Sequence, residues 1–141
     1  MILYLFTSAL AKITSKKGEA LTSGKKADEA EGIATSRIAY AEARAAFARK
    51  RREHGLSRKG YRLVVEDLNQ DRDDYFILDV SDGVVKSAGI LAERHDLRGA
   101  DAIHLASALA LGKRSDSNVM FFCFDGRLTF AARKGGLGTA S

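Results

Sequence analysis

The sequence predicts an α/β fold in which helices cover a mainly parallel sheet, and three observations lead there. Short strand-length apolar runs alternate along the chain with longer segments of helical period. The first run, residues 2 to 6, is continuously apolar, as a strand covered on both faces must be. The length of 141 residues with 45% hydrophobic content suits one core, so residues 1 to 141 are expected to form a single domain.

Each element follows in turn. After the strand over 2 to 6, Ser8 to Lys17 can open a helix. Residues 16 to 32 mix Lys, Gly, Ser and acids, which fits a weakly packed helix or a mobile connection. Ile33 to Thr35 reads as a short strand. Thr35 or Ser36 can cap an Ala-rich helix that runs to His54 and stops at Gly55. Arg58 to Asp74 forms another helix with Leu63, Val64 and Leu68 inward, and Tyr75 to Val80 is the next strand. Helices over Asp82 to Arg94 and Ala100 to Leu111 precede a strand from Asn118 to Phe124 and a last helix from Gly126 to Lys134. Four strands alternating with helices are the expectation.

Composition narrows the function. The 23 Lys and Arg against 18 Asp and Glu give a formal charge of +5, a balance that suits anionic partners. The one cysteine, Cys123, rules out an internal disulfide and a cysteine-rich zinc site. The chain has no proline, which argues against PPII motifs. No stretch approaches the roughly 18 apolar residues of a membrane span. The N-terminal run lacks a preceding Lys or Arg and is broken by Thr7 and Ser8, so an exported leader is not expected and the cytoplasm is.

In a parallel sheet the functional crevice lies beyond the C-terminal ends of the strands, which directs attention to Phe6 to Ser8, Thr35, Ser81 and Asp125. Asp125 also has a plain use as a helix N-cap. Glu42 steps with Ile38, Ala41, Ala45 and Ala46 onto or beside a small, apolar face, where an acid needs a partner; a boundary position paired with Arg37 or Arg44, or solvated, is the plain alternative. Asp101 aligns with Leu105, Ala108 and Leu109, and as a first-turn acid it also complements the helix dipole. His104 lies one turn later and, as a lone histidine without the His-rich spacing of a zinc enzyme, reads as a packed or hydrogen-bonded residue and not as a ligand. Three carboxylates from separate segments make an oxygen-lined site for a hard divalent cation plausible, and such a cation can activate water beside a phosphate.

Met1-Ile-Leu-Tyr-Leu-Phe-Thr-Ser-Ala-Leu-Ala-Lys12, the Ala41-Glu42-Ala43-Arg44 helix, Leu97-Arg-Gly-Ala-Asp101-Ala-Ile-His-Leu-Ala-Ser-Ala108 and Phe124-Asp-Gly-Arg-Leu128 resemble, in family order, the PIN domain and particularly VapC-type toxins. The stretch around Asp101 is the most specific. The resemblance implies a three-layer α/β/α sandwich and an endoribonuclease dependent on Mg2+ or Mn2+, working as a homodimer and held inactive by a VapB-type antitoxin. It implies Glu42, Asp101 and Asp125 as catalytic and metal-binding acids, with Ser8 orienting a carboxylate or metal-bound water. It also exposes a departure. The first strand of the family ends in a metal-binding aspartate, where this chain has Phe6, whose ring cannot coordinate a cation. Two readings follow: a metal-dependent ribonuclease impaired at this position, or a catalytically inactive interaction module that dimerises and binds an antitoxin.

Residues 36 to 62 hold nine Lys and Arg against Glu42 and Glu53, more charge than the whole chain carries net. A solvated helix end, favoured by the dipole, and contact with RNA phosphate are the two explanations. A phosphate-accepting receiver would need an acidic pair after the first strand, and none is there. Neither a Walker A loop nor a GxGxxG turn follows any predicted strand.

Overall fold

The structure is a computed structural model that describes residues 1 to 15 and 29 to 140, so the expectation for residues 16 to 32 falls mostly outside the described residues. Five strands, β1 (Ile2–Leu5), β2 (Gly32–Ser36), β3 (Phe76–Leu78), β4 (Val119–Phe122) and β5 (Gly138–Ala140), form one parallel sheet in the order β3-β2-β1-β4-β5. The helices among the described residues are α1 (Thr7–Ser15), α2 (Ala39–Arg52), α3 (Arg58–Arg72), α4 (Asp82–His95), α5 (Gly99–Arg114) and α6 (Gly126–Lys134). The sandwich expected from the sequence is the one found.

The apolar run at the N-terminus takes the central position because both of its faces are covered. Leu3 and Leu5 point to one side, among Leu10, Phe47, Leu68 and Phe122. Tyr4 points to the other, among Leu91, Leu105, Phe121 and Leu128. This alternation is the two-residue period of a strand, and it divides the core into a layer under α1, α2 and α3 and a layer under α4, α5 and α6. Leu3 aligns with Ile33 of β2 on one side and Met120 of β4 on the other.

The structure departs from the sequence expectations in four places. A fifth strand, β5, pairs with β4 through Met120 and Gly138. Gly136, at φ +91, makes the left-handed turn that brings it back from α6. The strand expected over 75 to 80 shrinks to Phe76–Leu78, an edge strand on which Phe76 is exposed. In α3, Val64 and Leu68 are buried but Leu63 is 49% exposed, because one residue is a turn of about 100° away from that stripe. Neither Thr35 nor Ser36 caps α2. Both are buried at the end of β2, where Thr35 Oγ1 donates to the Leu5 carbonyl at 2.7 Å and Ser36 Oγ accepts from the Ile38 amide.

The strand order places the topological switch at β1 and β4. From β1 the chain builds outward through β2 and β3, then returns to the opposite side for β4 and β5. The crevice therefore opens where β1 ends at Phe6 and Thr7 and where β4 runs into Asp125.

Candidate functional site

Three of the helices that begin at this end of the sheet, α2, α5 and α6, bring carboxylates to it. Glu42 lies in the first turn of α2 and Asp101 in the first turn of α5, where carboxylates complement the positive helix ends. Asp125 is the N-cap of α6, its Oδ1 accepting the Leu128 amide at 3.0 Å. The plain structural use foreseen for Asp125 is thus present, and its second carboxylate oxygen is not needed for it.

Glu42 does not sit in the middle of an apolar stripe. The buried positions of α2 are Ala39, Ala43 and Phe47, while Ala41 and Ala45 are exposed, so Glu42 borders the packed face with a side chain 31% exposed. Its partner is neither Arg37 nor Arg44. Thr7 Oγ1 donates to Glu42 Oε1 at 2.7 Å, and His104 Nε2 lies 2.7 Å from the same oxygen. His104 is fully buried, and its Nδ1 is 2.9 Å from the Tyr4 hydroxyl. An imidazole protonated at Nε2 satisfies the set: Nε2–H donates to the carboxylate, and the Tyr4 O–H donates to Nδ1. Burial raises the Tyr4 pKa and keeps that hydroxyl a donor.

His104 was not among the residues singled out as site residues by sequence. The signal was present in its position three residues after Asp101, on the packed face of α5. What the spacing could not show is that the ring bridges a strand residue, Tyr4, to a helix carboxylate, Glu42.

The electrostatics separate the acids. Burial pushes Glu42 upward, but the hydrogen bonds from His104 and Thr7 outweigh it and hold the carboxyl below its ordinary value. Asp101 moves the other way. Burial raises it, and repulsion from Asp125 and Glu42 adds to the rise, against the opposing pull of Arg98. Arg98 Nε reaches Asp101 Oδ2 at 3.5 Å from an exposed position. The three acids are therefore coupled through one field, even though Asp125 itself is exposed.

Coupling is not coordination. Among the described residues no three His, Cys, Asp or Glu side chains stand close enough together to hold a metal ion. Phe6 explains part of this. Its ring packs edge-on against His104, with centroids 4.9 Å apart, and also lies near Phe121. Hydrocarbon thus stands at the end of β1, where a carboxylate would complete the set. Ser8 does not supply the missing polarity, since its Oγ is buried without a hydrogen-bond partner; Thr7, one residue earlier, contacts Glu42 instead. As they stand, these residues do not fit a directly coordinated divalent cation.

A central β1, two helix-start carboxylates and a strand-end aspartate over the switch point define an α/β domain with an acid-lined crevice. Comparison with known proteins makes the class specific. The PIN domain profile matches residues 3–129. Ribonuclease VapC45 and ribonuclease VapC49, both of Mycobacterium tuberculosis, are each 36% identical over 140 residues, covering 96% of this chain and 92% of theirs. The chain belongs to the PIN domain family, among the VapC ribonucleases. A solved structure of VapBC2 from Rickettsia felis, bound to a DNA fragment from its promoter, shares the fold with a TM-score of 0.69. At 16% identity it covers 99% of this chain and 98% of its own. VapC nucleases of the PIN family generally use a divalent metal.

Proposed function

We propose that this chain is a VapC-type toxin module, a single PIN unit over residues 1 to 141 whose reaction is the cleavage of RNA phosphodiester bonds. The observation that carries the reading is that Glu42, Asp101 and Asp125 each stand at a helix start over the switch point, in a chain 36% identical to ribonucleases along nearly its whole length. Glu42, Asp101 and Asp125 are the catalytic acids of this reading. The His104 and Thr7 hydrogen bonds hold Glu42 ionised and fixed in direction, while Tyr4 fixes the ring from behind. Three carboxylates repel a phosphodiester, and in the family's chemistry Mg2+ or Mn2+ would supply the offsetting positive charge, an ion that these three acids by themselves do not fit. Phe6 removes the fourth side chain that would draw the cation in, and activity in this chain is accordingly impaired. The partner of the reading is a VapB-type antitoxin, the working state a homodimer and the compartment the cytoplasm. No helix among the described residues is long and apolar enough to cross a membrane.

A second reading keeps the fold and drops the chemistry: a catalytically inactive module that dimerises and binds the antitoxin. The Phe6 ring on His104 is the observation that favours it. Phe6→Asp separates the two. Under the ribonuclease reading, Phe6→Asp binds Mn2+ at least tenfold more tightly than the parent chain by calorimetry and cleaves RNA faster. Tight Mn2+ binding without cleavage in Phe6→Asp would favour the inactive module. Gain of neither would remove Phe6 as the cause.

A further inference from the structure

The cations of the α2–α3 hairpin are not used by the site at the switch point. We propose that they form a phosphate-binding stripe that holds the RNA strand several nucleotides from the acids, an inference that rests on the ribonuclease reading. Arg49, Lys50, Arg51 and Arg52 occupy the last turn of α2, and Arg58, Lys59 and Arg62 the start of α3. All seven are exposed, and none forms an ion pair with another described residue.

The helix dipole accounts for only half of this arrangement. Cations at the end of α2 meet the negative end of that helix, which favours them. Arg58 and Lys59 stand at the positive end of α3, whose first turn contains no acid, and there the dipole disfavours them. The short connection then folds both groups of like charge toward each other. Among the described residues folding gathers this positive charge with only Glu53 between the two groups, which favours an anion supplied from outside the chain.

Geometry favours a polynucleotide as its source. Glu42 is in the first turn of α2 and Arg49 to Arg52 in its last. At 1.5 Å per residue, the 7 to 10 residues between them set the cations about 10–15 Å from the acid along one rigid helix. With a rise of about 3.4 Å per nucleotide along the axis of a stacked strand, that is about three or four nucleotides. One extended anion reaches both places. An acidic protein would neutralise the hairpin equally well, but nothing about it would tie the hairpin to the acids.

Binding of a fluorescein-labelled RNA of about 12 nucleotides, measured in EDTA across about 50 to 200 mM salt, tests the stripe without requiring cleavage. Two variants remove it: one with Arg49→Gln, Lys50→Gln, Arg51→Gln and Arg52→Gln, and one with Arg58→Gln and Lys59→Gln. A control with Arg94→Gln, Lys113→Gln, Arg114→Gln and Lys134→Gln removes four charges from α4, α5 and α6. The quadruple hairpin variant is expected to lose at least tenfold in affinity, with the salt slope falling by about 0.7 per lost contact, and the double variant to lose less. The control is expected to change less than twofold, and single-stranded DNA of the same length to lose affinity as RNA does. Equal loss in the control would reduce the effect to net charge and overturn the proposal. So would unchanged binding by both hairpin variants, a loss confined to RNA, or no binding by the parent chain. Tight Mn2+ binding by Phe6→Asp without RNA cleavage would instead favour the inactive module over the ribonuclease reading and leave the binding result intact.

Discussion

Glu42 and Asp101 are the same chemistry in two environments, and their opposite shifts give opposite stability effects. The folded chain holds Glu42 below its ordinary pKa, so its ionised form stabilises the fold. That contribution is present above the ordinary glutamate range and is lost as pH falls through the lowered folded value. In metal-free buffer Glu42→Gln should therefore lower the unfolding midpoint at pH 7, with the difference shrinking in acid. Asp101 is raised, so its folded form prefers the proton and ionisation at neutral pH costs stability. Asp101→Asn should raise the midpoint at pH 7, and the gain should vanish once Asp101 is protonated in both states. Urea unfolding of both variants at pH 7 and in acid checks the signs. A stabilising loss of a proposed catalytic acid is the signature of a site kept for chemistry at the expense of the fold. In the sequence both acids were visible as carboxylates beside apolar faces. The sign of either shift was not, because it depends on His104, Thr7 and Asp125 arriving from other segments.

At the level of elements, the helix starts do most of the positioning. Ser57, Ser81 and Asp125 each accept an amide from the first turn of their helix, and the cap at Asp125 is expected from the sequence. Asp125 combines a cap with a proposed catalytic charge, and two substitutions divide them. Asp125→Ala should cost about 1 kcal/mol of stability, whereas Asp125→Asn should keep the cap. Both should lower RNA cleavage in the Phe6→Asp background, where the ribonuclease reading expects activity. Equal stability of the Ala and Asn variants would show that the cap contributes nothing. The elements that escaped the sequence are those without a local signal. β5 is Gly138-Thr139-Ala140, a stretch with little strand propensity, held by backbone bonds to β4 and turned into place by Gly136.

For the whole molecule, the sheet divides the core into two layers that meet across β1. Leu68 is fully buried in the layer beneath α1, α2 and α3, distant in sequence from the acids of α5 and α6. Leu68→Ala should lower stability by about 2–5 kcal/mol, read from urea unfolding. Below its unfolding range, RNA affinity should stay within twofold of the parent. A large loss of affinity in folded Leu68→Ala would mean that the α2–α3 hairpin is held in place by this layer. The net charge of +5 belongs to this scale too. It describes a molecule with its positive excess concentrated on one hairpin, and the structure adds that the helix dipole explains only one side of that hairpin.

The sequence by itself determined the layered α/β architecture, the central strand and the positions of Glu42, Asp101 and Asp125 near strand ends or helix starts. These are consequences of hydrophobic period and turn chemistry, which act over a few residues. Only the tertiary structure decided what those acids touch. It gave Glu42 Thr7 and His104 as partners where Arg37, Arg44 or solvent had been open, set the Phe6 ring against that histidine, and left the acids coupled by charge but not gathered around an ion. The physical reason is separation along the chain. Thr7, Glu42 and His104 meet only because a parallel sheet with a switch point brings the ends of β1 and the starts of α2 and α5 to one crevice.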